Sequence, residues 1–196
     1  GDPARLDGID PCLVMSHLAC ADEPEHPLNR QQLALFETLS AALPPARRSF
    51  ANSSGIFLGR DYVFDLVRPG AALYGIAPNG TAGNPMRGVV RLHGRIVQVR
   101  QIDTPRTVGY GATHRAQRGS RIATVSVGYA DGYPRALSNR GSGFLAGQRI
   151  PVVGRVSMDL ITFDVSNIPA ELAAPGHMVE LIGPHLPVDS VAAAAG

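Results

Sequence analysis

Two groups of residues in this 196-residue chain have types and spacings that could do chemistry. The first lies in the amino-terminal half: His17 in Met-Ser-His-Leu-Ala, Asn52 and Ser53 in Phe-Ala-Asn-Ser-Ser-Gly, and Arg68, Gly70 and Ala71 in Leu-Val-Arg-Pro-Gly-Ala-Ala. The second is three short motifs: Val-Gly-Tyr110-Gly-Ala-Thr, Val-Gly-Tyr129-Ala-Asp-Gly and Gly-Arg-Val-Ser-Met158-Asp159. A tyrosine hydroxyl has a reference pKa of about 10 and acts as a base only when its surroundings lower it. A guanidinium is a permanent cation and donor. All 18 basic residues are arginine, so the chain carries no side-chain amine that could form a Schiff base. Each residue also has an ordinary structural reading. Tyr110 can be a packed strand tyrosine and Tyr129 a turn residue before Asp131-Gly132. Met158 can be a buried methionine in a hairpin turn. Arg68 can pair with Asp65 or Asp61, His17 can be a buried histidine satisfied by backbone, and Asn52-Ser53 can cap a helix.

Composition narrows the classes. The net charge is +2, only Arg47-Arg48 are adjacent, and the loose set Arg115, Arg118 and Arg121 has no interleaved aromatics, which argues against a nucleic-acid partner. The two cysteines, Cys12 and Cys20, read as reduced core thiols, and the six histidines form no ligand cluster, so no metal is expected. No signal peptide or apolar run of spanning length is visible, so no membrane is expected and the protein should be soluble and cytoplasmic.

Positioning these residues requires elements of two textures. Pro11 to Ala19 reads as a buried strand, Asn29 and Gln32 as a capping box, and Leu35, Phe36, Leu39 and Leu43 as a helical stripe stopped by Pro44-Pro45. Strands follow at Arg48–Ala51 and Val63–Val67, with a short helix over Gly55–Arg60 between them. This alternation predicts a parallel sheet with crossover helices, with polar residues at strand ends where such folds place chemistry. The turn-rich Ala77–Pro85 marks a boundary, giving units 1–83 and 84–196. Beyond it, short strands are expected at Val89–Ile102, Arg121–Val127, Phe144–Leu145, Arg149–Val153, Leu160–Val165 and His177–Ile182, an all-β module, before a helix capped near Asp189-Ser190.

In this order and spacing the six motifs, from about His17 to Ile182, resemble alanine racemase. The resemblance implies an α/β plus all-β fold: a partial (β/α)8 TIM-type barrel that binds pyridoxal 5'-phosphate (PLP), followed by a C-terminal β-strand domain, here incomplete. It implies a homodimer of a bacterial enzyme that interconverts L-alanine and D-alanine for peptidoglycan synthesis. It also implies a chain without the Schiff-base lysine, expected to be inactive alone. By position, Tyr110 corresponds to the catalytic tyrosine given by one subunit to its partner's site. Arg68 corresponds to the arginine facing the pyridine nitrogen, with His17 supporting it, Ser53, Gly70 and Ala71 fall on the phosphate-cradling positions, and Asn52 is a further cofactor-binding position. Met158 and Asp159 correspond to the loop whose backbone N–H meets the substrate carboxylate, and Tyr129 to a tyrosine narrowing the entrance. The alternatives are a non-catalytic dimerisation module, a half-site donor to an intact racemase subunit, and a PLP carrier like the single-domain barrel relatives.

Overall fold

Three short parallel strands carry the polar residues of the first half. The computed structural model describes residues 6–80 and 83–196, leaving residues 81 and 82 of the turn-rich segment outside, and the chain divides into two units, 1–87 and 88–196. In the first, β1 (Leu13–Met15), α1 (Pro27–Ala41), β2 (Arg47–Asn52), α2 (Ser53–Ile56) and β3 (Leu66–Arg68) follow in chain order. The sheet runs β1-β2-β3, with Met15 opposite Ser49 and Asn52 opposite Arg68. Parallel neighbours need a crossover, and α1 supplies the one between β1 and β2. Its buried face, with Leu33 and Phe36, packs on the sheet's Phe50, and the Phe36 and Phe50 rings stack at 4.7 Å with Phe64 edge-on at 5.1 Å. Such aromatic pairs add about 0.5–1.5 kcal/mol each beyond area burial.

Several local expectations are corrected. Helix α1 starts before Asn29: His26 is the cap, its Nδ1 accepting from Leu28 N, and Pro27 takes the first turn, where its fixed φ is pre-organised. Asn29 is buried and ties down the preceding loop by donating to Glu23 O. Gln32 instead bridges to Ala19 N and His17 O. Of the expected stripe only Phe36 is buried; Leu35 and Leu39 stay exposed, because the face that packs is Asn29, Leu33, Phe36 and Ser40. The third strand starts three residues later than expected, at Leu66, and a 3-10 turn, Arg60–Tyr62, that buries Tyr62 precedes it. Cys12 is exposed rather than a core thiol, and both cysteines are free.

The second unit is a sheet that almost closes on itself. Strands β4 (Leu92–Gln101), β5 (Arg106–Val108), β6 (His114–Ala116), β7 (Arg121–Val125), β8 (Ser142–Leu145), β9 (Gln148–Pro151), β10 (Ile161–Asp164) and β11 (Met178–Ile182) precede α3 (Val188–Ala195). Six of them form one antiparallel sheet, β10-β7-β4-β11-β8-β9, and a lone bridge between Val152 and Phe163 brings its two ends together. Alternate residues point inward, so Ile96, Val125, Ile161, Phe163, Val179 and Leu181 fill the interior. Strands β5 and β6, absent from the sequence reading, form a separate hairpin held by a small cluster of Ile102, Val108, Ala116, Ile122 and Val153. Helix α3 begins after Pro187, with Asp189 in its first turn, where a negative charge suits the helix dipole, instead of at the cap. Among the described residues no helix is long and apolar enough to cross a membrane.

Candidate functional site

At the carboxyl ends of β1, β2 and β3 the six residues singled out in the first unit come together. Arg68 does not pair with either expected carboxylate: Asp61 bonds Arg30 at 3.0 Å, and Asp65 accepts from Arg48 N at 2.7 Å. Its guanidinium is instead held by neutral groups, Nη1 donating to Ser49 Oγ at 2.5 Å and Nη2 to Ser16 O at 2.7 Å. Nη2 also lies 3.4 Å from His17 Nδ1. The other ring nitrogen of His17 faces Asn52 Nδ2 at 3.3 Å, so both nitrogens face donors and a neutral ring accepts from one of them at a time. His17 is exposed, which removes its reading as a buried backbone-satisfied histidine. Ser49, wholly buried, was not singled out from the sequence; a strand serine carries no signal until the sheet places its hydroxyl between Leu66 O and Arg68.

Asn52 and Ser53 mark a strand-to-helix turn. Asn52 Oδ1 accepts from Gly55 N at 2.8 Å and caps α2 as ordinary turn chemistry requires. Ser53 Oγ accepts from Gly70 N at 2.9 Å and Ala72 N at 3.2 Å, joining this turn to the 3-10 turn Ala71–Tyr74. Among the described residues the hydroxyl proton and Ala71 N have no acceptor, and a Cβ added at Gly70 would meet nothing within 4 Å, so open space lies before the turn. Converging N–H and O–H donors beside open space suit an anion.

In the second unit the three motifs are turns, not strands. Tyr110 opens a 3-10 turn, Tyr110–Ala112, at the tip of the β5–β6 hairpin and is 72 % exposed, so it is no packed strand tyrosine. Met158 is likewise exposed rather than buried, with Asp159 exposed beside it. The turn Tyr129–Asp131 is zipped to that loop: Tyr129 N donates to Ser157 O at 3.0 Å and Ala130 N to Met158 O at 2.9 Å. Gly128 makes this possible, since a Cβ there would lie 2.1 Å from Met158 O. The Tyr110 turn rests on the same segment, Gly111 against the Arg155 guanidinium and Gly109 against the Arg155 backbone. The four residues of this unit therefore share one scaffold, Gly154 to Asp159. Arg155 and Asn139, which bonds both Gly154 and Thr113, were not singled out from the sequence. Nearby Tyr133 is buried, which pushes its hydroxyl up to about 12 and leaves it neutral.

Parallel strands with polar residues at their carboxyl ends, followed by a nearly closed antiparallel sheet, define a barrel part joined to a β domain. Comparison with known proteins agrees and is specific. Residues 89–196 match the model of the alanine racemase C-terminal domain and residues 2–78 that of the alanine racemase N-terminal domain. The chain belongs to the alanine racemase family. It is 61 % identical over 191 residues to an alanine racemase of Rhodospirillum rubrum, covering 97 % of this chain and 51 % of that protein. It is 49 % identical over 206 residues to one of Rhizobium meliloti, covering 100 % and 54 %. The crystal structure of alanine racemase from Bartonella henselae with covalently bound pyridoxal phosphate superposes with a TM-score of 0.87 at 43 % identity, covering 98 % of this chain and 54 % of that one. The Streptomyces coelicolor enzyme gives 0.88 at 34 %, covering 98 % and 53 %. The chain thus spans about half the length of the relatives it matches.

Proposed function

We propose that this chain is the part of a PLP-dependent alanine racemase that cradles the cofactor's phosphate and ring nitrogen and offers a proton-handling tyrosine to a partner subunit. One observation carries the reading: Arg68, a cation held by neutral groups, stands at strand ends beside the Ser53–Gly70 donor cradle. The donor set fits PLP, with open space at Gly70 for the phosphate and a guanidinium for the ring nitrogen. Bound there, PLP supplies an electron sink for the pair left when the Cα proton departs. Ser53 and the backbone of Gly70 and Ala71 hold the phosphate. Arg68 donates to the ring nitrogen and, being permanently protonated, leaves that nitrogen without a proton of its own, which moderates the sink. His17 and Ser49 keep the guanidinium aimed. The hydroxyl of Tyr110 exchanges a proton on one face of the substrate. The Met158 N–H, with Asp159 following it, holds the carboxylate, and Tyr129 narrows the approach to small amino acids. These 196 residues contain no lysine, so the amine serving the other face comes from a segment outside them. The product D-alanine belongs to peptidoglycan synthesis, in the cytoplasm, and the working unit is a homodimer.

The test is to restore length. Joined to the matching amino-terminal half of the Rhodospirillum rubrum relative, the chain should bind PLP and interconvert L- and D-alanine. Tyr110→Phe should then lower kcat by roughly 10²–10⁴ while PLP absorbance is retained. A PLP-loaded Tyr110→Phe protein as fast as its parent would end the assignment. The lysine-free composition also favours a second reading, a half-site donor to an intact subunit. Co-expression with a racemase lacking its matching tyrosine would reveal it by restored activity.

A further inference from the structure

The turn that bears Tyr110 has little to hold it from within. Gly109, Gly111 and Ala112 all have left-handed backbone, at φ +69°, +72° and +51°, and the backbone bond that leads into it, Ala112 N to Gly109 O, is long at 3.4 Å. The Tyr110 side chain is exposed, so the position of its hydroxyl depends on what tethers the backbone. One tether is Asn139. Its Nδ2 donates to Oγ1 of Thr113, the residue that ends the turn, at 3.0 Å. Its Oδ1 accepts from Gly154 N at 2.6 Å, and its own N–H donates to Gly154 O at 3.2 Å. Next to it, Ser138 Oγ accepts from Val156 N at 3.0 Å. Asn139 itself has φ +55°, a conformation asparagine tolerates better than other side-chain-bearing residues. Both ends of one amide are therefore used, one on each of two turns that are remote in sequence.

We propose that Asn139 is a positioning residue that locks the Tyr110 turn to the Gly154–Met158 segment. Tyr110 and the Met158 loop are then presented to a partner's site at a fixed spacing, as one piece. This rests on reading Tyr110 and Met158 as contributed site residues. Thr113 isolates the link: Thr113→Val removes the acceptor of the Asn139 amide and leaves the Asn139–Gly154 bonds in place.

Residue-resolved amide exchange by NMR on the 196-residue chain tests this. In Thr113→Val, amides over 110–114 should exchange about fivefold faster, the loss expected for one net hydrogen bond. Those of Gly154 and of the β7 core residues Ala123 and Val125 should keep their rates. Thr113→Ser, which restores a hydroxyl, should return the turn to parental exchange. Asn139→Ala should loosen the turn and Gly154 together. Parental exchange at 110–114 in Thr113→Val, an equal acceleration in the core, or a failure of serine to restore the turn would each overturn the proposal. Exchange needs no turnover, so this outcome is separate from the Tyr110→Phe result that decides the racemase reading.

Discussion

Gly128 sets how closely two site-bearing turns can approach. Its backbone is extended and its N–H is taken by Asp131 Oδ2 at 2.9 Å. The reason for glycine is therefore space, not conformation. A methyl group would overlap Met158 O and also fall 2.5 Å from Asp159 N. Gly128→Ala should push the Met158 loop away and break the bonds from Tyr129 N and Ala130 N. The expected cost is about 1–3 kcal/mol, read from urea unfolding at constant slope. A loss below about 0.5 kcal/mol would show that the loop yields freely. At this scale the sequence was most legible where a motif is local. His17, Asn52, Ser53, Arg68, Gly70 and Ala71 were named from their motifs, and the structure gathers them at one set of strand ends. Ser49 and Asn139 were illegible because their partners, Arg68 and Thr113, lie 19 and 26 residues away and become neighbours only through strand pairing and turn packing.

Among elements, the end of β11 illustrates how a buried charge fixes a turn. Glu180 is buried, its Oε1 accepting from His185 N at 2.8 Å and Leu186 N at 3.2 Å, its Oε2 facing His185 Nδ1 at 3.1 Å. The His185 ring stacks on Phe144 of β8 at 4.0 Å, so the turn is clamped to a second strand. Burial alone would push the carboxyl up, but the hydrogen bonds from His185 and Leu186 outweigh it and hold Glu180 below its usual value of 4.5. A carboxyl whose pKa is lower in the folded state adds stability above its unfolded value and loses it as pH falls through the folded one. Thermal melting from pH 7 downward should show this contribution intact to about 4.5 and declining below it. Glu180→Gln should remove that part of the decline, and an unchanged acid limb would refute the assignment. The longer strands β4, β7, β10 and β11 were legible from β-branched runs, whereas the Arg-Thr-Val and His-Arg-Ala strands of the β5–β6 hairpin are too short and polar to declare themselves. The start of α1 was misplaced because a proline and a histidine outcompeted the asparagine expected at the cap.

For the whole chain, the two units differ in what they bury. The second has a continuous interior from Ile96 to Leu186, while the first relies on a small cluster around Phe36 and Phe50. The first also leaves Leu35 and Leu39 exposed and, among the described residues, has β1 and β3 as unpaired sheet edges. Urea should therefore melt the chain in two steps, with amides of β2 losing protection before those of β4 and β7. A single coincident transition would contradict this. Family membership was legible from six ordered motifs, but the two-textured architecture followed from periodicity alone. The bridge between Val152 and Phe163 has a mechanical meaning. It is an isolated pair, backed by Val153 N donating to Thr162 O at 2.9 Å and the Thr162 hydroxyl donating to Val153 O, where the β7–β10 and β4–β7 seams run through four and five registered pairs. Under load the ring should split there like a cask losing its first stave, laying Phe163 open to solvent while the rest of the wall still stands.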